Sequence, residues 1–174
     1  MIRHALAGDR GAFAKTGKPD DARPITAAGR RTTRESLPAL RFLLPRVDIV
    51  ATSALTRAAQ TADIIATAYP SAERETVNAL TPGGRRKELV RWLRNRAEED
   101  VVAIVGHDPD LGALASWLLS GRKAGFVDFE KGGVALLDFE RRVGPGRATI
   151  IWSIPPRALV RLARSRAVGG RRPG

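Results

Sequence analysis

The apolar positions of this chain follow two different spacings, one typical of strands and one typical of helices. The stretch DVVAIVG at 100–106 is a short continuous apolar run, which is typical of a strand buried on both faces of a sheet. A β-branched run, VDIVATS at 47–53, predicts a second strand. Between them, RRKELVRWLRNRAEE at 85–99 places its apolar residues at helical spacing among charges. The pattern therefore indicates strands that alternate with helices.

Three further helices are marked by the residues that begin or end them. Thr26 is a typical N-cap residue, and the helix after it is predicted to run to about Leu44, just before a proline. Helices are also predicted over 54–69 and over 108–121. In contrast, the polar stretch 8–24 is punctuated by Gly and Pro, which predicts a loop.

Short strands complete the predicted sheet. Met1–Ile2 ends one strand, and RETVNAL at 74–80 predicts another. The runs GGVALLDFE at 132–140 and RATIIWSI at 147–154 flank RRVGPG, which predicts an antiparallel hairpin. Strands that alternate with helices favour an α/β fold, a three-layer sandwich with a mostly parallel central sheet and helices on both faces.

The residue types present exclude several kinds of site. The chain of 174 residues has no cysteine and two histidines, which excludes a disulfide framework, a thiolate site and a His-rich metal cluster. We therefore expect no metal and no cofactor. No apolar run approaches the length of about 20 residues that a membrane span needs, and no secretory h-region precedes the first motif. The expected location is the cytoplasm, with no membrane contact.

The positive charge is concentrated near the end of the chain. The formal net charge is +12, and residues 157–174 carry six arginines and no acidic residue, which is half of the excess. We expect residues 1–156 to form one domain and 157–174 to be a basic tail, partly helical or disordered. Aromatic residues make up 5% of the chain and are not interleaved with the basic ones as in surfaces that stack bases. Nucleic-acid binding is therefore not favoured, although a polyanion-binding protein stays an alternative.

The chemistry-bearing residues follow predicted strands. Arg3 and His4 come directly after the first strand, Arg57 lies in the first turns of the helix after 47–53, and His107 follows the buried strand. Functional groups in open α/β sheets gather at the carboxyl ends of strands, so these four side chains are expected to share one pocket. Guanidiniums bind phosphoryl oxygens, and a neutral imidazole can attack phosphorus, so the set suits phosphoryl transfer without a metal.

The motifs around these residues resemble those of a known family. RHA at 3–5, TSALTRAAQTA at 52–62 and VGHDP at 105–109 resemble the three signatures of the histidine phosphatase superfamily, which includes the phosphoglycerate mutases and many phosphatases. RPITAAG at 23–29 and ALTPGG at 79–84 resemble elements of its SixA-type phosphohistidine phosphatases. The resemblance covers roughly residues 1–155 and implies a phosphoglycerate mutase-like fold.

The resemblance also implies roles for individual residues. His4 would be the nucleophile that becomes phosphohistidine, Arg3 and Arg57 would clamp the phosphoryl oxygens, and His107 would donate a hydrogen bond to the phosphate. Arg23, in the RPITAAG element, is either a further phosphate or substrate contact or an ordinary loop arginine.

The proton donor is less clear from the sequence. Glu88 is the acidic residue in the segment after the middle motif, and Asp108 is either an acid or the N-cap of the next helix. An ester needs its alkoxide protonated, and losing a general acid costs typically 10²–10⁴-fold, whereas a phosphohistidine has a better leaving group. We therefore expect a phosphatase of protein phosphohistidine, with small phosphorylated metabolites or nucleotides as the alternative substrates.

Overall fold

A six-stranded mixed sheet forms the centre of the molecule. The computed structural model describes residues 1–96, 100–123 and 125–169. The strands are β1 (Ile2–Arg3), β2 (Ile49–Thr52), β3 (Glu73–Thr76), β4 (Val102–Gly106), β5 (Val134–Asp138) and β6 (Thr149–Ile154). Their order across the sheet is β3, β2, β4, β1, β5 and β6. The first four strands in this order are parallel to one another, and β5 is antiparallel to both of its neighbours.

Helices cover both faces of this sheet. The helices are α1 (Arg10–Ala14), α2 (Ala27–Leu43), α3 (Thr56–Ala66), α4 (Arg86–Arg94), α5 (Asp110–Ser120) and α6 (Pro156–Gly169). Val50 of β2 and Val105 of β4 pack with α2, α3 and α6 on one face, whereas Ile49 and Ile104 pack with α4 and α5 on the other. Both strands are therefore buried on two sides, and the predicted α/β sandwich with a mostly parallel sheet is confirmed.

The predicted element boundaries hold best where a cap or a proline marks them. The Thr26 side chain accepts a hydrogen bond from the Gly29 amide, so α2 begins where the N-cap predicted. The hairpin of β5 and β6 is present with a register shift between Leu136 and Leu137. The helix predicted over 85–99 ends at Arg94, and residues 97–99 of that prediction lie outside the described residues.

The stretch 8–24 contains more regular structure than the predicted loop. It forms the short helix α1, which Asp9 caps by accepting from the Ala12 amide, and a 3-10 helix at Asp20–Ala22. Neither buries a residue, so no hydrophobic periodicity could reveal them. The prediction of a loop there was wrong for these two turns.

The C-terminal segment packs into the core instead of leaving it. Helix α6 buries Leu159 completely, and Val160 and Ala163 almost completely, against the face that carries α2. On its outer side, Arg164 pairs with Glu35 at 2.8 Å. The helical part expected in the basic tail is present as α6, and its apolar stripe fills part of the core although arginines dominate its composition. The domain boundary at residue 156 stays a prediction. Residues 170–174 of the predicted tail lie outside the described residues. Among the helices described, none has the length and apolar character to cross a membrane.

Candidate active site

Three neighbouring strands deliver their side chains to one cavity. β2, β4 and β1 are adjacent and parallel, and their carboxyl ends open on a cavity of about 810 Å³. Arg3, His4, Arg57 and His107 all line it, so the structure brings together the four residues expected to share a pocket. Arg23 lines the same cavity.

His4 is held in one tautomer. Its ring Nδ1 lies 2.8 Å from the carbonyl oxygen of Ala5, and since a carbonyl only accepts, Nδ1 carries the proton and donates. Nε2 therefore has the free lone pair. The His4 amide donates to the Gly106 carbonyl at 3.0 Å, which fixes the backbone beside β4. Burial lowers the pKa of His4 to about 4, and the charges of Arg57 and Arg3 act in the same direction.

His107 lies beside His4 and is held by a residue that the sequence did not single out. The two ring centroids are 5.1 Å apart, and Nε2 of His107 is 2.7 Å from Oγ of Ser53, which is completely buried. Ser53 Oγ also accepts from the Leu55 amide at 3.4 Å. Among the described residues the Ser53 hydroxyl hydrogen has no other acceptor, so it donates to Nε2, and His107 carries its proton on Nδ1. Burial lowers the pKa of His107 to about 3, with His4 as the second cause.

The arginines are positioned by fixed acceptors. Arg57 is 5% exposed, and Arg3 donates through Nη1 to the Phe129 carbonyl. The Nε atoms of Arg3 and Arg57 are both buried and have no hydrogen-bond partner among the described residues. Buried donors without a partner are rare in proteins, and both belong to side chains that line the cavity.

Asp20 connects the guanidiniums of the cavity and was not predicted. Its Oδ1 accepts from Arg23 Nε at 2.8 Å, its Oδ2 lies 3.2 Å from Arg57 Nη1, and Arg10 lies 3.7 Å away. Arg57 also donates to the Asp20 carbonyl at 3.0 Å. The hydrogen bond from Arg23 is the largest cause that lowers the pKa of Asp20. Arg23 is therefore a partner of Asp20 at the cavity wall. The spacing of three residues between Asp20 and Arg23 was the signal in the sequence that could have predicted this ion pair.

The two candidate proton donors occupy very different positions. Asp108 lines the cavity, with Oδ2 4.0 Å from Arg3 Nη1 and with Oδ1 buried and lacking a hydrogen-bond partner among the described residues. It does not cap α5, because Pro109 occupies the N-cap position. Glu88 lies on α4 outside the cavity, half exposed, and accepts from Arg85 at 3.2 Å. The structure therefore brings Asp108 to the site and leaves Glu88 away from it.

Two further residues, Lys131 and Thr81, also line the cavity. Thr81 belongs to the ALTPGG motif at 79–84, whereas no motif of the sequence had marked Lys131. Within the described ranges, no three His, Asp or Glu side chains converge as a metal-ligand set.

Comparisons with known proteins agree with this architecture. No protein-family model matches the chain. The chain is 31% identical over 136 residues to the uncharacterised protein SYNPCC7002_A2622 of Picosynechococcus, covering 77% of this chain and 80% of that one. The structure of the protein histidine phosphatase SixA complexed with tungstate matches with a TM-score of 0.74 at 23% identity, over 91% of this chain and 96% of that one.

Two other solved structures share the fold. A SixA protein of Nakamurella multipartita matches with a TM-score of 0.69 at 24% identity, over 87% and 91% of the two chains. A phosphoserine phosphatase of Entamoeba histolytica matches with a TM-score of 0.65 at 14% identity, over 91% and 96%. The chain therefore belongs to one family with the Picosynechococcus protein, and its fold is that of SixA and of the other histidine phosphatase superfamily structures.

Proposed function

We propose that this protein is a phosphatase that transfers a phosphoryl group first to Nε2 of His4 and then to water. The observation that carries the proposal is the state of His4, which is buried, tied through Nδ1 to the Ala5 carbonyl, and lowered in pKa to about 4. At neutral pH its imidazole is neutral, and Nε2 presents a lone pair to a cavity lined by Arg3 and Arg57.

The reaction takes place in two displacements. In the first, the lone pair of His4 Nε2 forms a bond to phosphorus while the bond from phosphorus to the substrate's nitrogen breaks, and the substrate's protonated imidazole departs neutral. In the second, water attacks phosphorus, and the bond to Nε2 breaks with its electron pair returning to nitrogen. One proton of the water moves to a phosphoryl oxygen, so that dihydrogen phosphate leaves. The guanidiniums of Arg3 and Arg57 and the imidazole of His107, which line the cavity, stabilise the charge on the phosphoryl oxygens.

The substrate in this proposal is phosphohistidine on a protein. A departing imidazole needs no strong acid. Of the two candidate acids, Glu88 lies outside the cavity, and Asp108 lines it with Oδ2 4.0 Å from Nη1 of Arg3. The fold match to a SixA described as a protein histidine phosphatase, with the oxyanion tungstate bound, supports the same substrate class. We place the protein in the cytoplasm as part of this proposal, with a phosphorylated protein as its partner and no nucleic acid.

Phosphate release in excess EDTA tests the mechanism. Wild type and His4→Ala are compared on a phosphohistidine peptide and on p-nitrophenyl phosphate. We expect metal-independent turnover that prefers the peptide and is abolished in His4→Ala. Because the N–P bond of phosphohistidine is hydrolysed in acid and survives in base, denaturing the enzyme in alkaline detergent during turnover should trap phosphate on wild type alone. If neither substrate is turned over while the protein still binds polyanions, the binding-protein alternative replaces the proposal.

A matched pair of variants tests the proton donor. Asp108→Asn removes the carboxyl inside the cavity, and Glu88→Gln makes the same chemical change outside it. We expect neither variant to slow phosphohistidine hydrolysis by more than a few-fold. If p-nitrophenyl phosphate is the better substrate and Asp108→Asn slows a poor-leaving-group ester by 10²-fold or more, the substrates are small phosphate esters and Asp108 is their acid.

A further inference from the structure

A second cavity adjoins the active site and is used by no step of the proposed reaction. Its volume is about 340 Å³, within the range of about 300–1,000 Å³ that ligand pockets occupy. We call it the flank groove. Leu6 and Lys131 line both the flank groove and the active-site cavity, so the two adjoin at these side chains. Its other lining residues come from the segment after β1, from α2, from the turn before β5 and from the start of α6, and they include Gly29, Thr33, Ser36, Glu130 and Arg157.

Leu6 forms a rigid apolar ledge between the two cavities. Its side chain is 43% exposed, so it presents apolar surface where the two cavities adjoin. The Leu6 carbonyl accepts from the Thr26 amide at 2.8 Å and from Thr26 Oγ1 at 3.1 Å. Gly29 packs so closely on this carbonyl that a Cβ there would overlap it. The backbone therefore cannot turn Leu6 inward, and the ledge offers an apolar contact to whatever enters.

The hydroxyl groups at the floor of the flank groove have no free hydrogen to donate, whereas its wall carries charged side chains. Thr33 donates to the Gly29 carbonyl at 2.8 Å, and Ser36 donates to the Thr33 carbonyl at 2.7 Å, so both buried hydroxyl hydrogens are already used. Lys131, Arg157 and Glu130 stand on the wall with exposed side chains, and no ion pair among the described residues involves them. The wall therefore has an excess of one positive charge.

We propose that the flank groove binds the polypeptide residues next to the phosphohistidine, with an apolar residue on Leu6 and an acidic residue facing Arg157. The proposal rests on the proposed function and assigns it a protein substrate with an acidic flank. A small phosphate at His4 occupies only part of the active-site cavity of about 810 Å³. A peptide chain, at about 3.3–3.6 Å per extended residue, crosses the Leu6 ledge within a few residues. Charge complementarity with Arg157 and Lys131 favours the acidic flank.

Three probes and two variants test this assignment. The probes are a phosphohistidine peptide with Leu and Glu beside the phosphohistidine, the same peptide with Lys in place of Glu, and phosphoramidate, which carries no flank. Arg157→Glu reverses the charge of the flank groove, and Arg161→Glu makes the same change one turn further along α6, outside the groove. Neither exposed arginine contributes to the core, so both variants are expected to fold.

We expect wild type to prefer the Glu peptide over the Lys peptide, and Arg157→Glu to reverse that preference. For the Glu peptide, kcat/KM should fall about three- to tenfold in Arg157→Glu, the range for an exposed charge pair that is reversed, and the effect should weaken in high salt. Phosphoramidate turnover should be unchanged in both variants, and Arg161→Glu should behave as wild type on every probe.

Three other outcomes overturn the proposal in distinguishable ways. If phosphoramidate is hydrolysed but wild type and Arg157→Glu show the same flank preference, the groove does not hold the substrate, and the phosphatase proposal stands without it. If Arg161→Glu shifts the preference as much as Arg157→Glu does, the selectivity comes from overall charge and not from the groove. If no probe is hydrolysed by wild type, the proposed function fails first and the flank assignment falls with it.

Discussion

Acidification is expected to destabilise this protein through its two buried histidines. In the unfolded chain a histidine titrates near 6.5, whereas burial lowers the pKa of His4 to about 4 and that of His107 to about 3 in the folded protein. Both folded values are depressed, so between about pH 6.5 and pH 4 the unfolded state binds more protons than the native state. The free energy of unfolding must therefore fall as the pH falls through this interval.

The size of the effect follows from the pKa difference. Each pH unit below 6.5 costs about 1.4 kcal/mol for each histidine that stays neutral in the native state. From about pH 7.5 to about pH 5, the loss is about 2 kcal/mol per histidine and about 4 kcal/mol for the pair. Since domains of this kind are stable by only about 5–15 kcal/mol, a loss of this size is a large fraction of the total.

Urea unfolding at about pH 7.5, 6 and 5 measures this difference. Wild type is compared with His4→Gln, His107→Gln and the double variant, whose replaced side chains do not titrate. The amino group of Met1, which is buried with its pKa lowered to about 5, titrates in the same interval. It is common to all four proteins and cancels in the comparison. We expect each single variant to remove about half of the histidine-dependent loss. If wild type and the double variant lose the same free energy over this interval, the two imidazoles are not held neutral and the account of the nucleophile is wrong.

The remaining predictions concern hydrogen bonding, charge geometry and packing. In Ser53→Ala, His107 loses the hydrogen bond that selects its tautomer, so kcat should fall about tenfold to a hundredfold with KM nearly unchanged. Steady-state kinetics on a phosphohistidine peptide measure both constants, and an unchanged kcat would exclude a positioning role for Ser53. Arg57→Lys keeps the positive charge but loses the planar guanidinium and its paired N–H donors, so kcat/KM should fall about a hundredfold in the same assay. Full activity of this variant would mean that the charge alone is sufficient. Leu159→Ala should lower the free energy of unfolding by about 2–5 kcal/mol in urea titrations, whereas a loss within about 0.5 kcal/mol would place α6 outside the core.

Local chemistry explains which parts of the fold could be predicted. The double-sided apolar run of β4 and the Thr26 cap of α2 depend on neighbours within a few residues, and both are present as expected. The two turns inside 8–24 bury no side chain, so no periodicity marked them. The basic tail at 157–174 was expected to be partly helical or disordered, and its helical part is α6. The arginines that dominate its composition conceal the apolar stripe by which Leu159 and its neighbours complete the core.

The sequence by itself determined the chemical groups of the site and the strand ends that carry them. His4 and His107 each follow a strand whose apolar character is a local property of the chain, so their common edge of the sheet could be expected. Only the tertiary structure decided the partners. Ser53 reaches His107 across 54 residues, Asp20 reaches Arg57 across 37, and Asp108 enters the cavity that excludes Glu88. These pairings depend on the lateral order of the strands and on the packing of loops over their ends, which no local pattern of apolar and polar residues encodes.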